Sequence, residues 1–136
     1  MKGFLKIFII SLCRQFENDY HHNFQSRKME LVNTFYTELE RNFATKKMVR
    51  EYTDLLALTP NYLNDTVKEI SGFTASYHIQ QRVVLEAKRR AAFEGNSMKE
   101  IAYHLGFWDP AHFSKYFKNS SGVNFTEFKK GISGFC

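Results

Sequence analysis

The chain has 136 residues, which fits one domain with a tail better than two independent domains. Hydrophobic residues make up 43% and charged residues 24% of the sequence, so the chain can bury enough apolar surface to fold and is not of the disordered class. The formal net charge of +5 suits a partner with a dense negative surface, and two cysteines are too few for the disulfide framework of a small secreted protein.

The N-terminal segment carries an apolar stretch from Phe4 to Leu12. Lys6 interrupts this stretch and no small-residue cleavage site follows before Arg14, so the pattern is not typical of a secretion signal. The stretch is also shorter than the roughly 20 apolar residues that a membrane-spanning helix needs. We therefore expect no membrane partner and a reducing, cytoplasmic location.

The chain as a whole predicts an all-α fold, because only two prolines and seven glycines interrupt its periodic segments. Apolar residues recur at helical spacing from Leu5 to Phe16, and a polar loop is expected over Asn18–Ser26. A second helix is predicted from about Arg27 to Phe43. Its apolar face consists of Leu31, Val32, Phe35, Tyr36, Leu39 and Phe43.

The segment from Lys46 to Gly72 predicts two helices joined by a short turn. The first passes through Val49 and Tyr52. The second begins after Thr59-Pro60, because threonine can accept hydrogen bonds from unpaired backbone amides and proline fits the first helical position. Gly72 ends this helix, since glycine readily adopts the left-handed conformation found at helix ends.

A longer helix is predicted from about Ser76 to Glu94, and a second pair of helices follows it. Ser97 has the capping-box spacing to a glutamate three residues later, which indicates the start of the first helix of this pair. Asp109-Pro110 starts the second helix, Gly122 ends it, and a last short helix begins near Asn124. The aromatic residues at helical spacing, and Trp108 with them, are expected in the core.

The two helix pairs repeat one another in sequence. Pro60 pairs with Pro110 and Gly72 with Gly122 at one constant offset, while the turn of the second copy is one residue longer. Each copy is a helix-turn-helix arrangement, in which the first turns of the second helix project outward and can enter a major groove. The prediction is two homeodomain-like three-helix units joined by a long linker helix. Its boundaries are a helical tail over 1–43, a first unit over 44–73, the linker over 74–95 and a second unit with the terminal helix over 96–136.

A resemblance to a known family supports this interpretation. The residues that carry it are Val49, Tyr52, Leu55, Leu56, Thr59, Tyr62, Leu63, Val67, Lys68, Ser71, Gly72, the segment from Arg82 to Arg90, Ile101, Ala102, Leu105, Gly106, Phe107, Asp109, the run from His112 to Lys115, Phe117, Lys118 and Gly122. The chain from about Leu31 to Lys130 thereby resembles the DNA-binding domain of the AraC/XylS family of transcriptional regulators. The resemblance implies that both units enter successive major-groove segments of a double-stranded DNA operator, with RNA polymerase as a further candidate partner.

The resemblance also bears on the N-terminal residues. Family members carry a sensory or dimerisation domain there, for which residues 1–43 are too short, so this tail looks like the remnant of such a domain. The chain is then either a fragment of a longer regulator or a natural short form. Self-association through the Leu5–Phe16 helix and packing of that helix onto the domain remain open alternatives.

The candidate base-reading residues lie on the two recognition helices, about 60–71 and 110–121. They are Asn61, Asn64, Asp65, Ala111, Ser114 and Lys115. Asparagine can bond adenine through two hydrogen bonds, and aspartate can accept from cytosine N4. Because Pro110 and Ala111 lack side-chain donors, the second unit is expected to contribute more backbone affinity than sequence information.

The candidate phosphate contacts are Thr59, Lys68, Arg82 and Lys118. Each could equally be a solvated side chain, and Thr59 suits a capping role best. His104 and His112 lie on different elements without cysteine or acidic neighbours at ligand spacing, so no metal or other cofactor is expected. The sequence contains no nucleophile motif, so we do not expect an enzyme. The alternative function is a helical protein-interaction module without DNA binding.

Overall fold

The computed structural model describes residues 23 and 25–133, and this part of the chain is built of helices joined by short turns. The first helix, α1, covers residues 25–42. The others are α2 (Val49–Leu56), α3 (Pro60–Ser71), α4 (Ala75–Phe93), α5 (Met98–His104), α6 (Pro110–Ser121) and α7 (Phe125–Ser133). The predicted all-α class is confirmed.

Two hydrophobic cores organise these helices. The first is formed by Val32, Phe35, Leu39, Tyr52, Leu63, Val67, Ala75 and Ile79. The second is formed by Val83, Val84, Ala87, Ala91, Ile101, Ala102, Leu105, Phe107, Phe113, Phe117 and Phe125. Since α4 contributes its first half to one core and its second half to the other, the linker helix is a structural part of both units.

The helix boundaries follow from capping residues that repeat between the units. The Thr59 hydroxyl accepts from the backbone N–H of Tyr62 at 3.2 Å, and an Asp109 carboxylate oxygen accepts from that of His112 at 2.7 Å. Each cap satisfies one of the amides that a helix start leaves without a partner. The repeat that the sequence predicts is therefore present in the local geometry of α3 and α6.

The aromatic residues are not all in the core as predicted, since Phe93 and Tyr103 are exposed. Trp108 departs furthest from the prediction, because 94% of the residue is exposed. It stands in the longer turn between α5 and α6, where Phe107 is buried on one side and Asp109 caps α6 on the other. The core accepts Phe107 and the cap fixes Asp109, so the side chain between them points to solvent.

The predicted helix over Leu5–Phe16 and both cysteines lie outside the described residues. Within the described part of the chain, no helix combines the length and the apolar character needed to cross a membrane.

Candidate nucleic-acid interface

The leading ends of α3 and α6 are open to solvent. Asn61 and Asp65 are exposed on α3, and Ala111 and Lys115 are exposed on α6. The opposite faces of the same helices are anchored by fully buried side chains, namely Leu63, Val67, Phe113 and Phe117. Each helix therefore has one face held in a core and one face able to approach another molecule, as a recognition helix requires.

Asn64 is engaged inside the protein. Its side-chain oxygen accepts a hydrogen bond from the backbone N–H of Ser76 at 3.2 Å, in the first turn of α4. That amide has no acceptor within its own helix, so Asn64 satisfies it from α3 and joins the two helices. A two-bond contact with adenine needs the same oxygen. The expected base-reading role of Asn64 does not fit this arrangement.

Ser114 occupies the position of Asn64 in the second unit and is half-buried. Its neighbours on α6, Ala111 and Lys115, are exposed and offer a methyl group and a flexible cation. Side chains able to bond base edges are thus Ser114 and Lys115 at the start of α6, and Asn61 and Asp65 at the start of α3.

Tyr62 and His112 form a matched pair that the sequence interpretation did not include among the site residues. Both are exposed in the first turn of their helices. The His112 ring lies 5.5 Å from the Phe107 ring in an edge-to-face contact, which orients the imidazole at the start of α6. The repeat itself was the signal that could have identified them, since the two positions are equivalent and both carry polar aromatic rings.

The predicted phosphate contact of Arg82 is not supported, because its guanidinium is bound by α1. Its Nε and Nη2 donate to the two carboxylate oxygens of Glu40 at 2.6 and 3.1 Å, and its Cζ lies 4.1 Å from the centre of the Phe43 ring. The hydrogen bond with Glu40 is the main reason why the pKa of Arg82 is raised. Arg82 therefore joins α1 to α4 and is no longer a candidate phosphate contact.

Further along α4, Glu86 is only 6% exposed and lies among three arginines. Its carboxylate accepts from Arg89 at 2.8 Å, from Arg90 at 3.1 Å and from Arg82 at 3.4 Å. These contacts, the hydrogen bond with Arg89 foremost, lower the pKa of Glu86 to about 2. The negative charge of Glu86 thus offsets part of the positive charge of the three arginines on α4.

The remaining phosphate candidates stand on the recognition helices. Lys68 and Lys118 are exposed in the last turns of α3 and α6. The Thr59 hydroxyl accepts within the α3 cap, and a hydroxyl that accepts can still donate one hydrogen bond. At the equivalent place in α6 stands the carboxylate of Asp109, so the two helix starts differ in charge.

Comparisons with known proteins agree with this geometry. Residues 52–131 match a family described as a helix-turn-helix domain. The raffinose operon transcriptional regulatory protein RafR of Pediococcus pentosaceus is 26% identical over 110 residues, covering 81% of this chain and 40% of RafR. The transcriptional activator RhaS of Yersinia pestis (strain Pestoides F) is 31% identical over 80 residues, covering 59% of this chain and 29% of RhaS. The chain thus spans less than half the length of these relatives.

A solved structure shares the fold. The crystal structure of the C-terminal domain of the two-component response regulator yesN from Fusobacterium nucleatum superposes with a TM-score of 0.62 at 19% identity. The match covers 71% of this chain and 95% of that domain. The arrangement of two helix-turn-helix units around a shared helix is therefore one that occurs in a known domain.

Proposed function

This chain belongs to the AraC/XylS family of helix-turn-helix transcriptional regulators, and on that premise we propose that it binds double-stranded DNA in a sequence-specific manner. The observation that carries the proposal is the pair of matched helices, α3 and α6, whose capped leading ends are exposed while their inner faces are buried. A major groove about 12 Å wide admits one such helix. Two units on one shared helix can read two successive groove segments without a second chain.

Base readout is assigned first to α3. Asn61 offers both a donor and an acceptor to adenine, and Asp65 can accept from cytosine N4. On α6, Lys115 can donate to guanine, Ala111 can contact a thymine methyl group, and the Ser114 hydroxyl can bond to either partner of a base pair. A good two-bond contact discriminates against the wrong base by roughly 1–3 kcal/mol.

Phosphate contacts are assigned to Lys68, Lys118 and Thr59. Each phosphate that a lysine neutralises releases condensed counterions, so the logarithm of the affinity falls with the logarithm of salt concentration by about 0.9 per lysine contact. The uncharged Thr59 hydroxyl adds no such salt dependence. These contacts fix the position of the protein on the duplex and do not depend on its sequence.

The wider biological role is proposed from the relatives. RhaS is named a transcriptional activator, which makes RNA polymerase a candidate partner of a DNA-bound form of this chain. We place the protein in the bacterial cytoplasm, where operator DNA lies. We also propose that the protein self-associates through residues 5–16, which lie outside the described residues. Residues 44–73 and 96–136 are proposed as the two DNA-binding units, joined by 74–95.

Selection of bound duplexes from a random pool, followed by sequencing, tests the proposal directly. We expect the parent protein to enrich a site with two conserved segments. Asn61→Ala and Asp65→Ala should lose preference at particular base pairs. Lys118→Ala should weaken binding to all duplexes alike and make the salt slope shallower by about 1.

Lys130→Ala is the matched control, because Lys130 is an exposed lysine on α7 and not on a recognition helix. It should keep the parental salt slope. A helical protein-interaction module would behave differently, since an apolar interface barely responds to salt. Failure to enrich any sequence, together with a flat salt response, would favour that alternative and reject DNA binding.

A further inference from the structure

The two units also touch outside α4. The loop after α1, residues 43–48, belongs to the first unit and lies against the turn after α5. Phe43 packs against both cores. Lys47 Nζ lies 4.7 Å from the centre of the Phe107 ring and donates to the Ala44 carbonyl at 2.9 Å. The loop is itself fixed to the first core, because the buried Tyr52 donates its hydroxyl hydrogen to the Lys46 carbonyl at 2.8 Å.

The closest approach is at Gly106. A Cβ atom built on Gly106 would overlap the carbonyl oxygen of Ala44 and lie 3.3 Å from Lys47 Nζ. Because the obstructing Ala44 atom belongs to the backbone, it cannot move aside as the end of a flexible side chain can. The first unit therefore excludes a side chain from this position of the second unit.

The matched position in the first unit shows that the turn alone does not require glycine. Ala57 is equivalent to Gly106 in the repeat, and it adopts a φ of 56° while carrying a side chain. Among the described residues it is the one non-glycine with positive φ. The glycine at position 106, with a φ of 75°, is thus required by the contact with Ala44 as well as by its own backbone conformation.

We propose that Gly106 is a specificity-determining position, at which contact with the Ala44 carbonyl fixes the placement of α6 relative to α3. The contact thereby sets the spacing between the two DNA segments that the chain accepts. This inference rests on the proposed DNA-binding function. Gly106 acts as a positioning residue and does not itself touch DNA.

The location of the contact explains how it reaches the recognition helix. The loop and the second unit together line a cleft of about 430 Å³, to which the loop contributes Lys47 and Met48 and the second unit contributes Trp108 and His112. His112 stands in the first turn of α6. A displaced loop therefore acts next to the end of α6 that is proposed to enter the groove.

The physical effect is one of effective concentration. Once α3 is bound, a rigid connection presents α6 to the second segment at a defined distance and keeps the entropic cost of the second contact low. A shifted or loosened connection changes the spacing that binds best. It leaves the affinity for a duplex with a single segment unchanged.

Gly106→Ala tests the proposal, with Gly122→Ala as its matched control. Gly122 has a φ of 79° in the same unit, but a Cβ there meets nothing within 4 Å, so this variant carries the backbone strain without the contact. Both variants are assayed on the selected duplex, on duplexes with base pairs inserted or removed between the segments, and on single-segment duplexes. Lys47→Met is a second test variant in case Gly106→Ala does not fold. It removes the cation that contacts the Phe107 ring and adds no volume at Gly106.

We expect Gly106→Ala to lose about tenfold in affinity at the parental spacing and to prefer a different or broader range of spacings. Lys47→Met should change the affinity and the preferred spacing in the same direction, but by a smaller amount. Gly122→Ala should lose some thermal stability but keep the parental spacing profile. A parental profile in both Gly106→Ala and Lys47→Met would overturn the inference.

A distance measurement separates this inference from the proposed function. Spin labels at Glu69 and Asn119, equivalent exposed positions on α3 and α6, report the separation of the helices without DNA once Cys13 and Cys136 are replaced by serine. We expect a narrow distance distribution in the parent and in Gly122→Ala, and a shifted or broader one in Gly106→Ala. An unchanged distribution rejects the positioning role even if DNA binds. A changed distribution in a protein that selects no DNA rejects the proposed function alone.

Discussion

Single residues on the recognition helices divide into those committed to the protein and those that face outward. Asn64 and Asp65 are adjacent on α3, yet one satisfies an amide of α4 and the other is exposed. Sequence spacing identified both as outward-facing. It could not reveal the Ser76 amide, because that partner belongs to a different helix and meets Asn64 only after folding.

Asn64→Ala is expected to lower the free energy of unfolding by about 1 kcal/mol, since the Ser76 amide loses its acceptor. Asn64→Asp keeps an acceptor oxygen beside the start of α4 and should restore most of the loss. Urea denaturation measures both variants. If Asn64→Ala were as stable as the parent and altered the selected base preference, Asn64 would read DNA as the sequence first suggested.

The buried carboxylate of Glu86 makes stability depend on pH. Its pKa in the folded protein is about 2, lowered from 4.5 mainly by the hydrogen bond with Arg89. A lowered pKa contributes stability that is present above pH 4.5 and is lost as the pH falls toward 2. Glu86→Gln should therefore be less stable than the parent at neutral pH, by at most about 3 kcal/mol, with the difference shrinking below pH 4.5.

Thermal unfolding of both proteins between neutral pH and pH 2.5 provides the measurement. Glu94→Gln is the matched control, because Glu94 pairs with Arg89 and Arg90 but its side chain is 40% exposed. Its effect should be small, as is usual for surface ion pairs. A difference between parent and Glu86→Gln that stayed constant over this range would show that the arginines do not stabilise the charged form.

At the scale of whole helices, the sequence predicted starts and ends well because caps are local. Thr59, Asp109 and the capping box of α5 all act within three residues of their partners. Contacts between distant elements escaped prediction. The sequence predicts a phosphate contact for Arg82 because it shows the charge of this side chain. It does not show that the guanidinium pairs with Glu40 on α1. Trp108 was assigned to the core because its apolar character does not reveal that Phe107 already fills that place.

The cap of α6 offers a test at this scale. Asp109→Ala removes the acceptor of the His112 amide and should cost about 1 kcal/mol of stability. Asp109→Asn keeps an acceptor and removes a negative charge from the leading end of α6. We therefore expect Asp109→Asn to fold like the parent and to bind all duplexes more tightly, with the gain diminishing at high salt.

Denaturation and DNA titrations at two salt concentrations distinguish the two effects. Ser97→Ala at the start of α5 is the comparison, since it removes an uncharged cap that lies outside the recognition helices. Tighter binding by Asp109→Ala but not by Asp109→Asn would contradict the electrostatic explanation.

At the scale of the whole molecule, α4 and Phe43 contribute to both cores, so neither unit can lose its packing without exposing surface of the other. The sequence predicted two units and a linker but not this sharing, because the periodicity of a helix does not show how many cores it serves. We expect the described helices to unfold in one cooperative transition.

Leu63→Ala and Phe113→Ala provide the decisive comparison, because each truncates a fully buried side chain in one core alone. Each should lower the free energy of unfolding by about 2–5 kcal/mol. Hydrogen exchange is the measurement. If the amides of α3 and α6 open only by global unfolding, the two helices should lose protection to the same extent within each variant. Loss confined to α3 in Leu63→Ala and to α6 in Phe113→Ala would instead mean that the units unfold separately, and a rigid spacing between the recognition helices would then have no structural basis.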